Sequence, residues 1–298
     1  MSPALALRVL RGRDRYERRM EGWTDNLHED ALTHTVVLRD DERALELCAV
    51  ALPSPAYEIR EARCRVLAGA VAPAVTEGVA RLTGARMAAG FTRRVAEAVG
   101  AGEGATLLVD AAVEIARLAR QTAKLPRARA EHAAGGNPRA CWQLDTTGWI
   151  DLPDSCFTYS GAGLAMVETR AETTPMQPDL YSPRPGQRRV FVRNKVARLE
   201  RRDGRLHLFH AMHDNVHGFE ITYEIDLATG SIVHAEHLTP RLPYPGVCSE
   251  PQTKIRALLG ETADEGLGKR IGALLGGPTG CAQLYDLTAD LLKLLAER

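Results

Sequence analysis

The chain has 298 residues, enough for one large domain or two ordinary ones, and its 38 Lys plus Arg are balanced by 38 Asp plus Glu. That balance supplies no electrostatic pull toward nucleic acid, an anionic membrane or a highly charged substrate. A hydrophobic content of 45% with 26% charged residues is that of a globular chain, and aromatics at 5% make the core mostly aliphatic. No apolar run approaches the ~18 residues of a membrane span, and the N-terminus lacks the charged and apolar regions of a secretory signal. The six cysteines include no CxxC pair, so free thiols in a cytoplasmic protein are expected.

In chain order, Asp25-Asn26-Leu27-His28 leads into an alternating stretch, LTHTVVL from Leu32, and then a second extended run, ALELCAVAL from Ala44, closed by Leu52-Pro53-Ser54-Pro55. Period-two alternation predicts strands. A helix ending in RVLAG at 65–69 is expected next, then an Arg-bearing helical region from Phe91 with an apolar stripe of Leu108, Ala111, Ile115 and Leu118. Residues 124–188 are rich in Pro, Gly and Thr and read as a connector with a few strands, either a linker or a lid.

After the connector the same phrases return. Asp214-Asn215-Val216-His217 precedes ITYEIDL from Ile221, SIVHAEHL from Ser231 and Leu242-Pro243-Tyr244-Pro245. RALLG at 256–260 and LGKRIGALLGGPTGCAQLYD from Leu267 follow, with a stripe of Leu284, Leu287, Leu291 and Leu295. Gly100 answers Gly276, Gly104 answers Gly280, and Asp110 answers Asp286. Ordered recurrence of this kind predicts an internal duplication. Strands followed by helices predict an α+β fold, each half an antiparallel sheet followed by and packed against helices, the halves related by a pseudo-two-fold. The expected divisions are an N-terminal copy over 1–123, the connector or lid over 124–188, and a C-terminal copy over 189–298.

The stretch from about Val190 to Leu292 runs from strands through the turn PYPGVC and a short helix to LLGGPTGC at the opening of the last helix. In that order it resembles a bacterial domain family of unknown function, number 2889 in the DUF series. The resemblance places Cys248 and Gly280-Cys281 at the family's cysteines. Gln283 stands where members often carry a histidine. The N-terminal half resembles the family more weakly, with about Glu58 at the place of Cys248 and Ala105 at that of Cys281. The family name implies no activity.

Six of the nine histidines fall between positions 207 and 237: His207, His210, His213, His217, His234 and His237. Histidine serves proton transfer near neutral pH and metal ligation alike. On an extended strand His213 and His217 are too far apart to share a metal unless a turn intervenes at Asp214-Asn215, residues that favour turns. His217 recurs as His28 in the same phrase, which suits either a base oriented by Asp214 or a ring that fixes its own turn. Cys281 opens the last helix with Thr279 as expected N-cap, where the macrodipole lowers a thiol pKa. The glycines from Gly276 to Gly280 offer amides to an anion. A small buried packing residue is the competing reading for both Cys281 and Cys248. No GxSxG elbow, HExxH helix, dinucleotide fingerprint or EF-hand loop occurs.

These residues together suggest a cytoplasmic enzyme working by acid–base chemistry on a small carboxylate or carbonyl compound, of lyase, isomerase or decarboxylase type, without a nucleotide cofactor. His217, Asp214 and Cys281 are the expected catalytic residues. Gly280, Thr279, Tyr223 and Cys248 are expected on the substrate. One alternative is a mononuclear enzyme holding a divalent transition metal on some of His210, His213, His217, His234 and Glu236. Another is a non-catalytic ligand-binding or assembly module. The expected partner is a small molecule rather than nucleic acid or membrane, and the chain is expected to be a monomer or homodimer.

Overall fold

The computed structural model describes residues 10, 12–170, 174 and 176–296. Four strands open the fold as a meander, β1 (Arg15–Asp25), β2 (Leu32–Arg39), β3 (Ala44–Ala51) and β4 (Ile59–Ala68). Helices α1 (Pro73–Glu77), α2 (Phe91–Val99) and α3 (Ala105–Ala119) follow. The connector holds α4 (Arg127–Ala133), α5 (Pro138–Gly148), α6 (Gly161–Arg170) and α7 (Pro178–Tyr181). A second meander, β5 (Phe191–Arg202), β6 (Arg205–Asp214), β7 (Gly218–Asp226) and β8 (Ile232–Arg241), leads through a 3-10 stretch to α8 (Leu267–Leu275) and α9 (Ala282–Ala296).

The two meanders do not form separate sheets. They join in one eight-stranded antiparallel sheet of order β4-β3-β2-β1-β5-β6-β7-β8, with β1 and β5 paired from Arg15↔Glu200 to Thr24↔Phe191. Alternation decides what each strand buries. On β7, Phe219, Ile221, Tyr223 and Ile225 are buried while Glu220, Thr222 and Glu224 between them are half-buried. The stripe Leu108, Ala111, Ile115 and Leu118 on α3 packs on β1, β2 and β3, and Leu284, Leu287 and Leu291 bring α9 onto β6 and β7. Gly22 on β1 lets α3 approach, because a Cβ there would lie 2.9 Å from Leu118 Cδ1.

Two expectations are corrected. RVLAG at 65–69 ends strand β4 rather than a helix. Ala62, Cys64 and Val66 pair with Ala49, Leu47 and Leu45, while Glu61, Arg63 and Arg65 alternate with them. The period of the segment is therefore two, and it was masked by residue types that also suit helices. The two Asp-Asn phrases occupy different turns, Asp25 ending β1 and Asp214 ending β6. Both lie at the same end of the sheet, beside the entry to β5. There Asp25 Oδ1 accepts from the Arg189 amide and Asn215 Oδ1 from the Val192 amide.

The described connector residues form helices and loops in place of the expected strands. Pro138 at the first turn of α5 and the Asn137 side chain capping the Ala140 amide start that helix as the sequence dictates. The Ala123 and Leu125 amides donate to the Leu180 and Tyr181 carbonyls, and Asn26 Nδ2 donates to the carbonyls of Pro183 and Arg184. These bonds fasten the connector across the end of the sheet where the two Asp-Asn turns lie.

An ionic cluster sits where the two helical layers meet under β1 and β5. Lys195 Nζ lies 2.7 Å from Glu114 Oε1 and 2.8 Å from Asp290 Oδ2. Arg117 reaches Glu114, Asp286 and Asp290 at 2.5, 3.0 and 2.6 Å, and Arg18 reaches Asp110 at 2.7 Å.

Two buried histidines give the fold a pH response. Burial pushes His34 down to about 3, and burial with the Lys195 charge pushes His210 down to about 4. The unfolded chain protonates both near 6.5, so as the pH falls below that value it takes up protons the fold refuses. Stability is therefore full above about pH 6.5 and should fall by about 1.4 kcal/mol per pH unit per histidine until the folded values are reached. The urea midpoint should drop between pH 7 and pH 5, and His210→Gln should flatten that drop. A midpoint flat over this range would refute the assignment.

Candidate functional site

A cleft of about 1050 Å3, including its open mouth, lies between the connector, the β6–β7 turn, the loop after β8 and the start of α9. The turn is built by Asp214. Its Oδ1 accepts from the Val216 and His217 amides at 2.7 and 2.6 Å, closing a local side-chain turn, and the Asp214 amide donates to the His217 carbonyl. Its Oδ2 takes both Nε and Nη2 of Arg193, at 2.9 and 2.7 Å. Arg193 is only 1% exposed. Burial would raise the Asp214 carboxyl, but His217 and Arg193 hold it well below the usual carboxylate range.

The turn brings the His217 ring to the cleft wall with Nδ1 3.3 Å from Asp214 Oδ1. A carboxylate there favours the proton on Nδ1 and leaves the Nε2 lone pair for other work. Nε2 makes no hydrogen bond among the described residues. This is the orientation a general base needs.

The same cleft holds a group the sequence did not single out. Asp145 on α5 is buried, and three tyrosines donate to it: Tyr181 to Oδ1 at 2.5 Å, Tyr159 and Tyr244 to Oδ2 at 2.8 and 2.5 Å. Burial raises the Asp145 carboxyl against the lowering by these phenols and by His217. Burial and the Asp145 charge in turn raise all three phenols well above their ordinary value, so they remain donors. The available signal was local composition. In an aromatic-poor chain, Trp142, Trp149, Phe157, Tyr159 and Tyr181 crowd into the connector.

Cys281 and Gly280 line the same cleft as His217, and so does Cys248. The expected activation of Cys281 is corrected: burial pushes its thiol up to about 11, outweighing the amides of the helix start. Cys281 itself holds the cap position, its Sγ 3.5 Å from the Leu284 amide, while Thr279 points away to accept from Lys254 Nζ. The expected anion cradle is closed, because the Gly280 and Cys281 amides donate to the carbonyls of Gly277 and Leu275. Gly280 is required for close packing, since a Cβ there would lie 2.0 Å from the Leu275 carbonyl oxygen. Cys248 lies 3.1 Å from Thr158 Oγ1, and burial pushes its thiol up to about 12. Tyr223 is outside the cleft, in the core beneath α9, 2.7 Å from Thr288 Oγ1.

The family comparison covers the C-terminal side of this cleft. Residues 197–296 match the model of a family described as protein of unknown function (DUF2889). The match to DUF2889 is confined to this C-terminal part of the chain. No curated protein and no solved structure matches the chain. The DUF2889 part carries Asp214, His217, Cys248 and Cys281, whereas Arg193, Asp145 and Trp149 precede it. A cleft resting on the DUF2889 residues alone would lack the wall that holds Asp145.

The alternative metal set is not assembled. His210 is buried with Nδ1 2.9 Å from the Leu287 carbonyl, whereas His213 lies on the other face of β6, 3.3 Å from Glu220. His234 lies 3.5 Å from Glu236 at the surface of β8. Among the described residues no three His, Cys, Asp or Glu side chains converge to hold a metal ion. No helix among them is long and apolar enough to cross a membrane.

Proposed function

We propose that the cleft is the active site of an enzyme that moves protons on a small carbonyl compound, in a reaction of lyase, isomerase or decarboxylase type. The observation that carries this is the pairing across the cleft. His217 is held by an ionised Asp214 with Nε2 free, and faces a carboxyl, Asp145, that burial shifts in the opposite direction. His217 is the base, Asp214 orients it, and Asp145 with its phenols forms the polar opposite wall. Cys281 and Cys248 are neutral packing groups of that wall, given their raised thiols. Convergence of titratable groups favours this reading over a non-catalytic binding module.

The test is deuterium wash-in. Small ketones, aldehydes and keto acids are incubated with the protein in D2O, and loss of the proton next to the carbonyl is followed by NMR. Wash-in is expected on at least one compound, and His217→Ala should slow it at least about 100-fold, the usual reach of general base catalysis. Equal rates in a folded variant, or no wash-in on any compound, would overturn the proposal.

Internal duplication belongs to the same proposal, in a corrected alignment that pairs β1 with β5, β2 with β6, β3 with β7, β4 with β8, α2 with α8 and α3 with α9. What supports it is that the separation between matched element starts stays nearly constant along the chain. It also pairs Arg117 on α3 with Lys293 on α9, both of them cations of the ionic cluster at the junction. A cytoplasmic location fits six free cysteines, and a monomer or homodimer remains the proposed assembly.

A further inference from the structure

We infer that the cleft selects an uncharged, ring-bearing carbonyl compound over carboxylates and amines, with Trp149 donating to the carbonyl oxygen. The inference rests on the proposed function for the choice of cleft; by excluding carboxylates it narrows the substrate class and leaves the lyase and isomerase types, without the decarboxylase type.

Charge comes first. Of the described residues lining the cleft, only Arg120 and His217 can carry a positive charge. Arg120 is already paired: Nε lies 2.5 Å from Asp151 Oδ2, Nη1 donates to the Ala116 carbonyl and Nη2 to the Met87 carbonyl. His217 already faces Asp214. A bound carboxylate would therefore meet only cations that already face a carboxylate of their own, and Asp145 would repel it. For an ammonium group the described lining offers a neutral unpaired acceptor in Gln252 Oε1 but no carboxylate oxygen without a donor. Both oxygens of Asp145 are taken by phenols, and those of Asp214 by Arg193 and two amides.

The remaining surface suits a flat apolar body. Trp149, Leu152, Met176, Leu180, Phe219 and Leu242 line the cleft, and Trp149 meets Tyr181 edge to face with ring centroids 5.2 Å apart. Trp149 is only 4% exposed, and its Nε1 is buried with no acceptor among the described residues. An indole N–H can only donate, and a buried donor left unpaired calls for an acceptor. A ligand carbonyl is the acceptor this wall lacks.

Four ligands of matched size distinguish the possibilities: acetophenone, ethylbenzene, benzoate and benzylamine, titrated at pH 7 against the full chain by ligand-observed NMR. Acetophenone should bind at least about tenfold more tightly than benzoate or benzylamine, the margin set by leaving a charge unpaired. Trp149→Phe keeps the ring and deletes the donor. It should weaken acetophenone about five- to tenfold, the size of one neutral hydrogen bond, and leave ethylbenzene unchanged. Benzoate or benzylamine binding as tightly as acetophenone, equal weakening of acetophenone and ethylbenzene in the variant, or no binding by any of the four would overturn the inference. The wild-type order decides selectivity even if the variant does not fold. That order holding without wash-in would remove the catalytic proposal alone, and wash-in with a preferred carboxylate would remove this inference alone.

Discussion

Asp145→Ala should lower stability by about 2–5 kcal/mol, because it strands the buried Tyr244 phenol at about 1–3 kcal/mol and the half-buried Tyr159 and Tyr181 phenols at less each. Tyr159 and Tyr181 come from the connector and Tyr244 from the loop after β8, so this carboxyl ties the connector to the second meander. The loss should appear as a lower urea midpoint for the whole chain together with quenching of the connector's tryptophan environment. A cost under about 1 kcal/mol would mean that water satisfies the phenols and that the connector does not depend on them.

Lys195→Met should be comparably severe, at about 3–5 kcal/mol, since removing one partner of a buried ion cluster leaves its counter-charges uncompensated. Lys195 is the strand-borne cation between Glu114 of α3 and Asp290 of α9. Adding Glu114→Gln to Lys195→Met should restore part of the loss, as a double-mutant cycle would show. No restoration would contradict the pairing. The cluster also sets an acid limit. Burial alone would raise Asp290, but Arg117 and Lys195 hold it well below the ordinary value. A depressed folded pKa contributes stability that is present above about pH 4 and lost as the pH falls further. Lys195→Met should shrink that low-pH loss, whereas the decline between pH 6.5 and 4 should persist in its His34 part and lessen in its His210 part, because Lys195 helps hold His210 down.

The α+β class, the strands at β2, β3, β7 and β8 and the apolar stripes of α3 and α9 were legible because alternation and helical periodicity are local properties. The segment at 59–68 was not, because Ala, Arg, Glu and Leu there carry a period-two pattern in residues that equally suit helices. The joining of both meanders through β1 and β5 was also hidden, since nothing local specifies a pairing between strands so distant in sequence. At the site, His217 and Asp214 were legible because they stand three positions apart and one turn serves both. Asp145 and its tyrosines come from four places along the chain and meet only in the fold. Cys281 shows the opposite error, a local dipole argument defeated by burial that sequence does not reveal.

Among the described histidines only His217 lines the cleft, and histidine-selective NMR reads whether it meets the ligand. The ring signals of His217, assigned through His217→Ala, should shift on titration with acetophenone, while those of His207, His213 and His234 stay in place as internal controls. An unmoved His217 under saturating ligand, or shifts spread over the surface histidines, would contradict the account.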